Sequence, residues 1–193
     1  MATRSFIADG KTAAGVDPDR ARTSAAGVLR YQLNVIGATT QEVVQSAGGW
    51  LCDRARAGWD VNVLVADGGD PRPLTILGAT AIDLDAGFLS LVRSVSGSGA
   101  LAVSSDLMAT DTRVRDEVVL ALKRGLTDVT VWGTQWPAEL GRQADSIQHR
   151  VSSAGRAFKS HALVAADVSA DAVTPTEALV RIGTGSFRPL YSV

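Results

Sequence analysis

Apolar residues recur along this chain in two rhythms, one at helical spacing and one nearly continuous over four to six positions. The helical rhythm appears first. Asp17 followed by Pro18 is an N-cap with proline at the first helical position. Ala25, Val28, Leu29, Gln32, Leu33 and Ile36 then fall on one face, so a helix is expected from residue 17 to its close at Gly37. Thr39-Thr40-Gln41-Glu42 is a capping box opening a second helix. Its apolar face is Val43, Val44, Ala47, Trp50 and Leu51, and Gly58 ends it after Arg54 and Arg56.

The continuous rhythm marks strands. Residues 61–66 form an apolar run of the kind buried on both sides of a sheet. A turn at 67–73 leads to a second expected strand at 74–82, close enough to form a hairpin. A short helix is expected at 88–95, a joint at 96–99 and a strand at 100–103. Asp111 caps a helix through Val114, Val118 and Leu122, and residues 129–132 make the next strand. That stretch predicts a parallel strand–helix–strand unit. Pro137 is expected to open a long helix, with Leu140, Ala144, Ile147, Val151, Ala154, Phe158 and His161 as a heptad seam. The expected fold is therefore α/β, with a mixed, largely parallel sheet of four or more strands. Helices cover its faces: two near the N-terminus and a long one late. Residues 1–16 read as a flexible arm, 17–166 as the α/β domain, and 167–193 as a loop followed by a β-hairpin.

Composition changes this picture little. The 193 residues are 46 % hydrophobic and 20 % charged, enough for a core without metal or disulfide support. A net charge of −1 gives no global field for nucleic acid or anionic membrane. No apolar run reaches the roughly 18–20 residues of a membrane helix, and the N-terminus lacks a signal-like apolar core. The single cysteine, Cys52, fits a reducing compartment, so a cytoplasmic location is expected.

Catalytic motifs are absent: no phosphate-binding P-loop, no dinucleotide fingerprint, no paired cysteines and no His-Glu-x-x-His. No cofactor or metal is expected. Open α/β sheets bind ligands beyond the carboxyl ends of their strands. Asp67, Asp70 and Arg72 follow one strand and Ser104, Ser105 and Asp106 another, with Thr134 and Gln135 after a third. If those ends adjoin, they line a crevice for a polar ligand. The commoner reading of the same residues is turn and cap chemistry. On the late helix, Arg142, Arg150, Arg156 and Lys159 form a basic stripe weakly suited to nucleic acid. Trp136, Arg142, Arg150, Val151, Arg156 and Phe158 are the candidate partner-binding residues.

The unit at 100–132, with its helix ending Ala121-Leu122-Lys123-Arg124-Gly125 and its strand Val129-Thr130-Val131-Trp132-Gly133, resembles the RecA-like, P-loop-less division inhibitors of the SulA type. That resemblance implies a regulator of division or the DNA damage response that acts by binding other proteins. The leading expectation, from the absent catalytic motifs together with the long seam, the N-terminal arm and the C-terminal hairpin, is a non-enzymatic adaptor, regulator or assembly subunit, with a protein partner or self-association. The alternatives are an enzyme or small-ligand binder using the strand-end crevice, and the SulA-type regulator that the resemblance implies.

Overall fold

The computed structural model describes residues 31–66, 68–84, 87–88, 99–125, 127–134 and 144–183. Its strands are β1 (Gln32–Gly37), β2 (Asp60–Val65), β3 (Thr80–Asp83), β4 (Gly99–Ser104), β5 (Val129–Trp132), β6 (Asp145–Arg150) and β7 (Thr176–Ile182). They form one sheet in the order β3-β2-β1-β4-β5-β7-β6. The first five of these are mutually parallel, and β7 joins β5 and β6 antiparallel to both. The expected α/β class with a largely parallel mixed sheet is what the chain adopts.

The helices are α1 (Thr40–Arg56), α2 (Arg72–Ile76), α3 (Ser105–Thr110), α4 (Thr112–Lys123) and α5 (Ser153–Ala165). One face of the sheet, carrying Leu33, Val35 and Val63, packs against α1, α2 and α5 through Trp50, Leu51, Leu74 and Leu163. The opposite face, carrying Ile36, Leu64, Leu101 and Val103, packs against α4 through Val114, Val118 and Leu122. Among the described residues no helix is long and apolar enough to cross a membrane.

Several expected elements are corrected. Residues 32–37 are the interior strand β1, between β2 and β4, not the end of a helix that begins at Asp17. Leu33 and Ile36 fit helical spacing, but they are buried on opposite faces of a strand covered on both sides, with Val35 on the same face as Leu33. The expected strand at 74–82 divides into α2 and the shorter β3. Pro73 sits in the first turn of α2, where its missing N–H costs nothing, and Gly78 (φ +80°) ends that helix. Because β3 runs parallel to β2, the two are not a hairpin. The long late helix is in fact β6 followed by α5. Ser152 caps α5 by accepting from the Gly155 amide, so the heptad seam crosses a strand and a turn. Of the predicted hairpin, β7 is present and pairs with β5 and β6; residues 187–193 lie outside the described residues, as do 1–30 and most of 88–98.

The Thr39 half of the expected capping box forms at the start of α1, while Glu42 reaches one residue further back than the N-cap. The Thr39 hydroxyl accepts from the Glu42 amide (3.0 Å), and the Glu42 carboxylate reaches back to the Ala38 amide (3.3 Å). Its middle is less ordinary. Gly49 and Trp50 donate their backbone N–H groups to Glu177, and Lys159 donates to the Gln45 carbonyl and to Glu177. Both members of this ion pair are buried, with about 1 % side-chain exposure each.

Candidate active site at the strand ends

Chain direction across the sheet reverses between β1 and β4. From β1 the chain moves outward to β2 and β3; from β4 it moves the other way to β5. At such a point the connections leaving the carboxyl ends of adjacent strands diverge and open a crevice, the usual ligand site of an open α/β sheet. The connection leaving β1 supplies Thr39, Thr40, Gln41 and Glu42. The end of β4 supplies Ser104, Ser105 and Asp106, and the end of β5 supplies Trp132, Gly133 and Thr134.

Glu42 is the chemically distinctive group. Burial raises its pKa above the ordinary 4.5 by making its charge costly, and the nearby negative charge of Asp106 adds to the rise. Hydrogen bonds from the Trp132 indole, the Ser104 hydroxyl and the Ala38 amide pull the other way without prevailing. Glu42 therefore holds its proton to a higher pH than a solvated glutamate. Asp106 accepts hydrogen bonds from the Thr134 amide (3.2 Å) and hydroxyl (3.1 Å), which tie the ends of β4 and β5 together. Gly133, at φ +118°, permits this approach: a Cβ there would lie 2.3 Å from the Ser105 hydroxyl oxygen. That hydroxyl is buried without a hydrogen-bond partner, as is that of Thr40.

On the other side of the α1 N-terminus lies a cavity of about 300 Å³. Its walls come from Thr40 and Gln41, from Gly69, Asp70, Arg72 and Pro73, and from residues 164–167 at the end of α5. Asp70 accepts from both the backbone amide (2.9 Å) and the Nε (2.7 Å) of Arg72. These bonds hold the Asp70 carboxyl below its usual range and the Arg72 guanidinium above its own.

The structure thus divides the predicted crevice residues in two. Asp70 and Arg72 line the cavity beside β2; Ser104, Ser105 and Asp106 lie across β1, at the switch point. Asp67 lies outside the described residues. Sequence reasoning missed Glu42, whose spacing from Thr39 already explained it as a cap, and Trp132, whose partner is 90 residues away. Among the candidate partner-binding residues, Trp136 and Arg142 lie outside the described residues. Arg150 is exposed at the end of β6, and Val151 is buried. Arg156 and Phe158 are exposed on α5, with Arg56 stacked over the Phe158 ring. Lys159 is buried against Glu177, so Arg150, Arg156 and Lys159 do not form the expected basic stripe. Among the described residues no three His, Cys, Asp or Glu side chains gather to hold a metal ion.

No protein-family model matches the chain, and no curated protein sequence does. Solved structures do share its fold. The deacetylase of the teicoplanin biosynthesis pathway, in complex with teicoplanin, superposes with a TM-score of 0.56 at 12 % identity, over 79 % of this chain and 98 % of that one. The A40926 pseudoaglycone deacetylase Dbv21 gives 0.53 at 15 % identity, over 70 % and 81 %. The zinc-inhibited form of teicoplanin deacetylase Orf2 gives 0.50 at 11 % identity, over 78 % and 97 %. At these identities the likeness is one of fold. Because the structures sharing that fold are enzymes, the finding overturns the expected non-enzymatic adaptor and the regulatory, protein-binding role attached to it. The SulA-type reading falls with it.

Proposed function

We propose that this chain is a small-molecule hydrolase working at the switch-point crevice, with Glu42 as general acid and Asp106 as general base. The observation that carries this reading is the pairing itself: a buried carboxyl whose pKa is raised, with the Asp106 carboxyl nearby, at the place where the fold opens a ligand crevice. Two carboxyl groups in unlike surroundings divide acid and base roles. Asp106 takes a proton from water as its oxygen attacks the substrate carbonyl. Glu42 gives its proton to the departing nitrogen, and the C–N bond breaks to leave a carboxylic acid and an amine. The neighbours are deacetylases, and for this chain the acyl group removed would be carried on an amine. The cavity lined by Thr40, Gln41, Asp70 and Arg72 would take the polar remainder of the substrate. A single buried cysteine, Cys52, accords with a cytoplasmic setting.

The test is release of primary amine from N-acetylglucosamine, teicoplanin and A40926 pseudoaglycone. The reading expects turnover of at least one probe, reduced about 10²–10⁴-fold by Glu42→Gln and by Asp106→Asn. Amine release from none of the three, or release that both variants leave intact, would refute it.

A further inference from the structure

Helix α1 begins in the crevice and is gripped in its middle by two side chains from elsewhere in the chain. Here Lys159 of α5 donates to the Gln45 carbonyl (2.7 Å), while Glu177 of β7 accepts from Gly49 (2.8 Å) and Trp50 (2.7 Å). The 2.5 Å bond between Lys159 and Glu177 closes the arrangement. These bonds meet α1 between its first turns, which carry Glu42, and the turns that follow Gly49.

We infer that Lys159 and Glu177 are positioning residues that fix where the first two turns of α1, and Glu42 with them, sit over the crevice. Three observations support this. A buried ion pair can often be replaced by apolar residues at no loss of stability, so stability alone gives little reason to keep one here. The polar atoms of this pair are not spent on each other alone: three of their bonds go to backbone groups of α1. Gly49 is the contact point, since a Cβ there would lie 3.1 Å from Glu177 Oε1 and 2.5 Å from Val151 Cγ1. Gln45 lies three residues beyond Glu42, about 4.5 Å along the helix axis, so a shift at Gln45 reaches the carboxyl within one turn. The far end of α5, six residues beyond Lys159, walls the cavity. One pair thereby sets both sides of the α1 N-terminus.

The inference rests on the proposed site but needs no substrate to test. The Trp132 indole N–H donates to Glu42, so its resonance in ¹⁵N-labelled protein reports where that carboxyl sits and when it titrates. In Lys159→Met, which removes the side-chain bond to the Gln45 carbonyl, the resonance moves. Its pH midpoint falls toward the ordinary 4.5, because Glu42 is less well buried. Glu177→Gln shifts it in the same direction by less. Leu163→Ala also weakens the packing of α5 on α1, but does not touch the bonds from Lys159 and Glu177 to α1, and leaves resonance and midpoint where they are. An unmoved Trp132 signal in folded Lys159→Met, or an equal movement in Leu163→Ala, would overturn the inference. If neither ion-pair variant folds, native-state hydrogen exchange on the unaltered chain decides. The amides of Val43, Gly49 and Trp50 then exchange through one common opening, and a Val43 amide that opens while the other two stay closed overturns it. Absence of amine release would sink the proposed function while leaving this outcome untouched; an unmoved Trp132 signal would do the reverse.

Discussion

Gly48 and Gly49 are neighbours in one helix, yet replacing each with alanine should change stability in opposite directions. In a helix interior the exchange is worth about 0.5–1 kcal/mol in alanine's favour, through backbone entropy. At Gly48 the new methyl would meet Leu77 Cδ1 at 3.4 Å and Lys159 Cγ at 3.6 Å, both ordinary contacts. It would add about 0.8 kcal/mol from the buried carbon, for a net gain of about 1.5 kcal/mol. At Gly49 the methyl would lie 2.5 and 2.8 Å from the two methyls of Val151, against an optimum of about 3.5–4.0 Å. To relieve this, α1 must retreat by about 1 Å, which stretches both bonds from its amides to Glu177. Overpacking costs about 1–3 kcal/mol, and weakened bonds to a charged group add to it. The net loss is about 2–4 kcal/mol. Urea unfolding of the two variants beside the unaltered chain gives both values. A stabilising Gly49→Ala, or equal losses at the two positions, would refute the close approach of α1 to Val151 and Glu177.

Other expectations concern titrating groups. Because the folded-state pKa of Glu42 is raised, its contribution to stability is complete below about 4.5 and is lost as pH rises through the folded value. Unfolding free energy measured from pH 4 to 8 should therefore carry a fall of up to about 1.4 kcal/mol per unit that Glu42→Gln removes. Trp132→Phe deletes a donor that favours the ionised carboxylate, so the Glu42 carboxyl ¹³C midpoint should rise further. Asp53 behaves oppositely. Burial pushes it up, but bonds from the Ser152 hydroxyl and amide and from His149 outweigh this and hold it below 3.8. Its contribution is present above that value and is lost as pH falls through the lower folded one. Asp53→Asn should cost about 1–3 kcal/mol near neutrality and flatten the acid limb of the stability curve.

The sequence carried the sheet's general character and the start of α1, because local signals sufficed for both: the apolar run at 61–66 and the Thr39–Glu42 cap. It misled at β1, where a strand buried on both faces loses its two-residue period. Asn34 also breaks the apolar run, since only the sheet reveals its side-chain partner, Asn62 across on β2. It misled again at 144–161, where a heptad spacing spans a strand, a turn and a helix by coincidence. The candidate site was half legible. Ser104, Ser105 and Asp106 could be picked out as candidates because strand ends are where ligands bind. Glu42 was not, because what makes it unusual is burial, with partners at Ser104, Asp106 and Trp132 that arrive 62 to 90 residues later. The pairing of Lys159 with Glu177 was hidden in the same way, behind a plausible solvent-facing stripe.

The account stands most directly on the ionisation of Glu42 in its crevice, read from the carboxyl ¹³C resonance as pH is varied. The account predicts a midpoint above 4.5 that falls on Asp106→Asn and is indifferent to Asp70→Asn on the far side of the α1 N-terminus. A midpoint at or below 4.5, or one that Asp106→Asn leaves unchanged, would contradict the assignment of this carboxyl pair as acid and base.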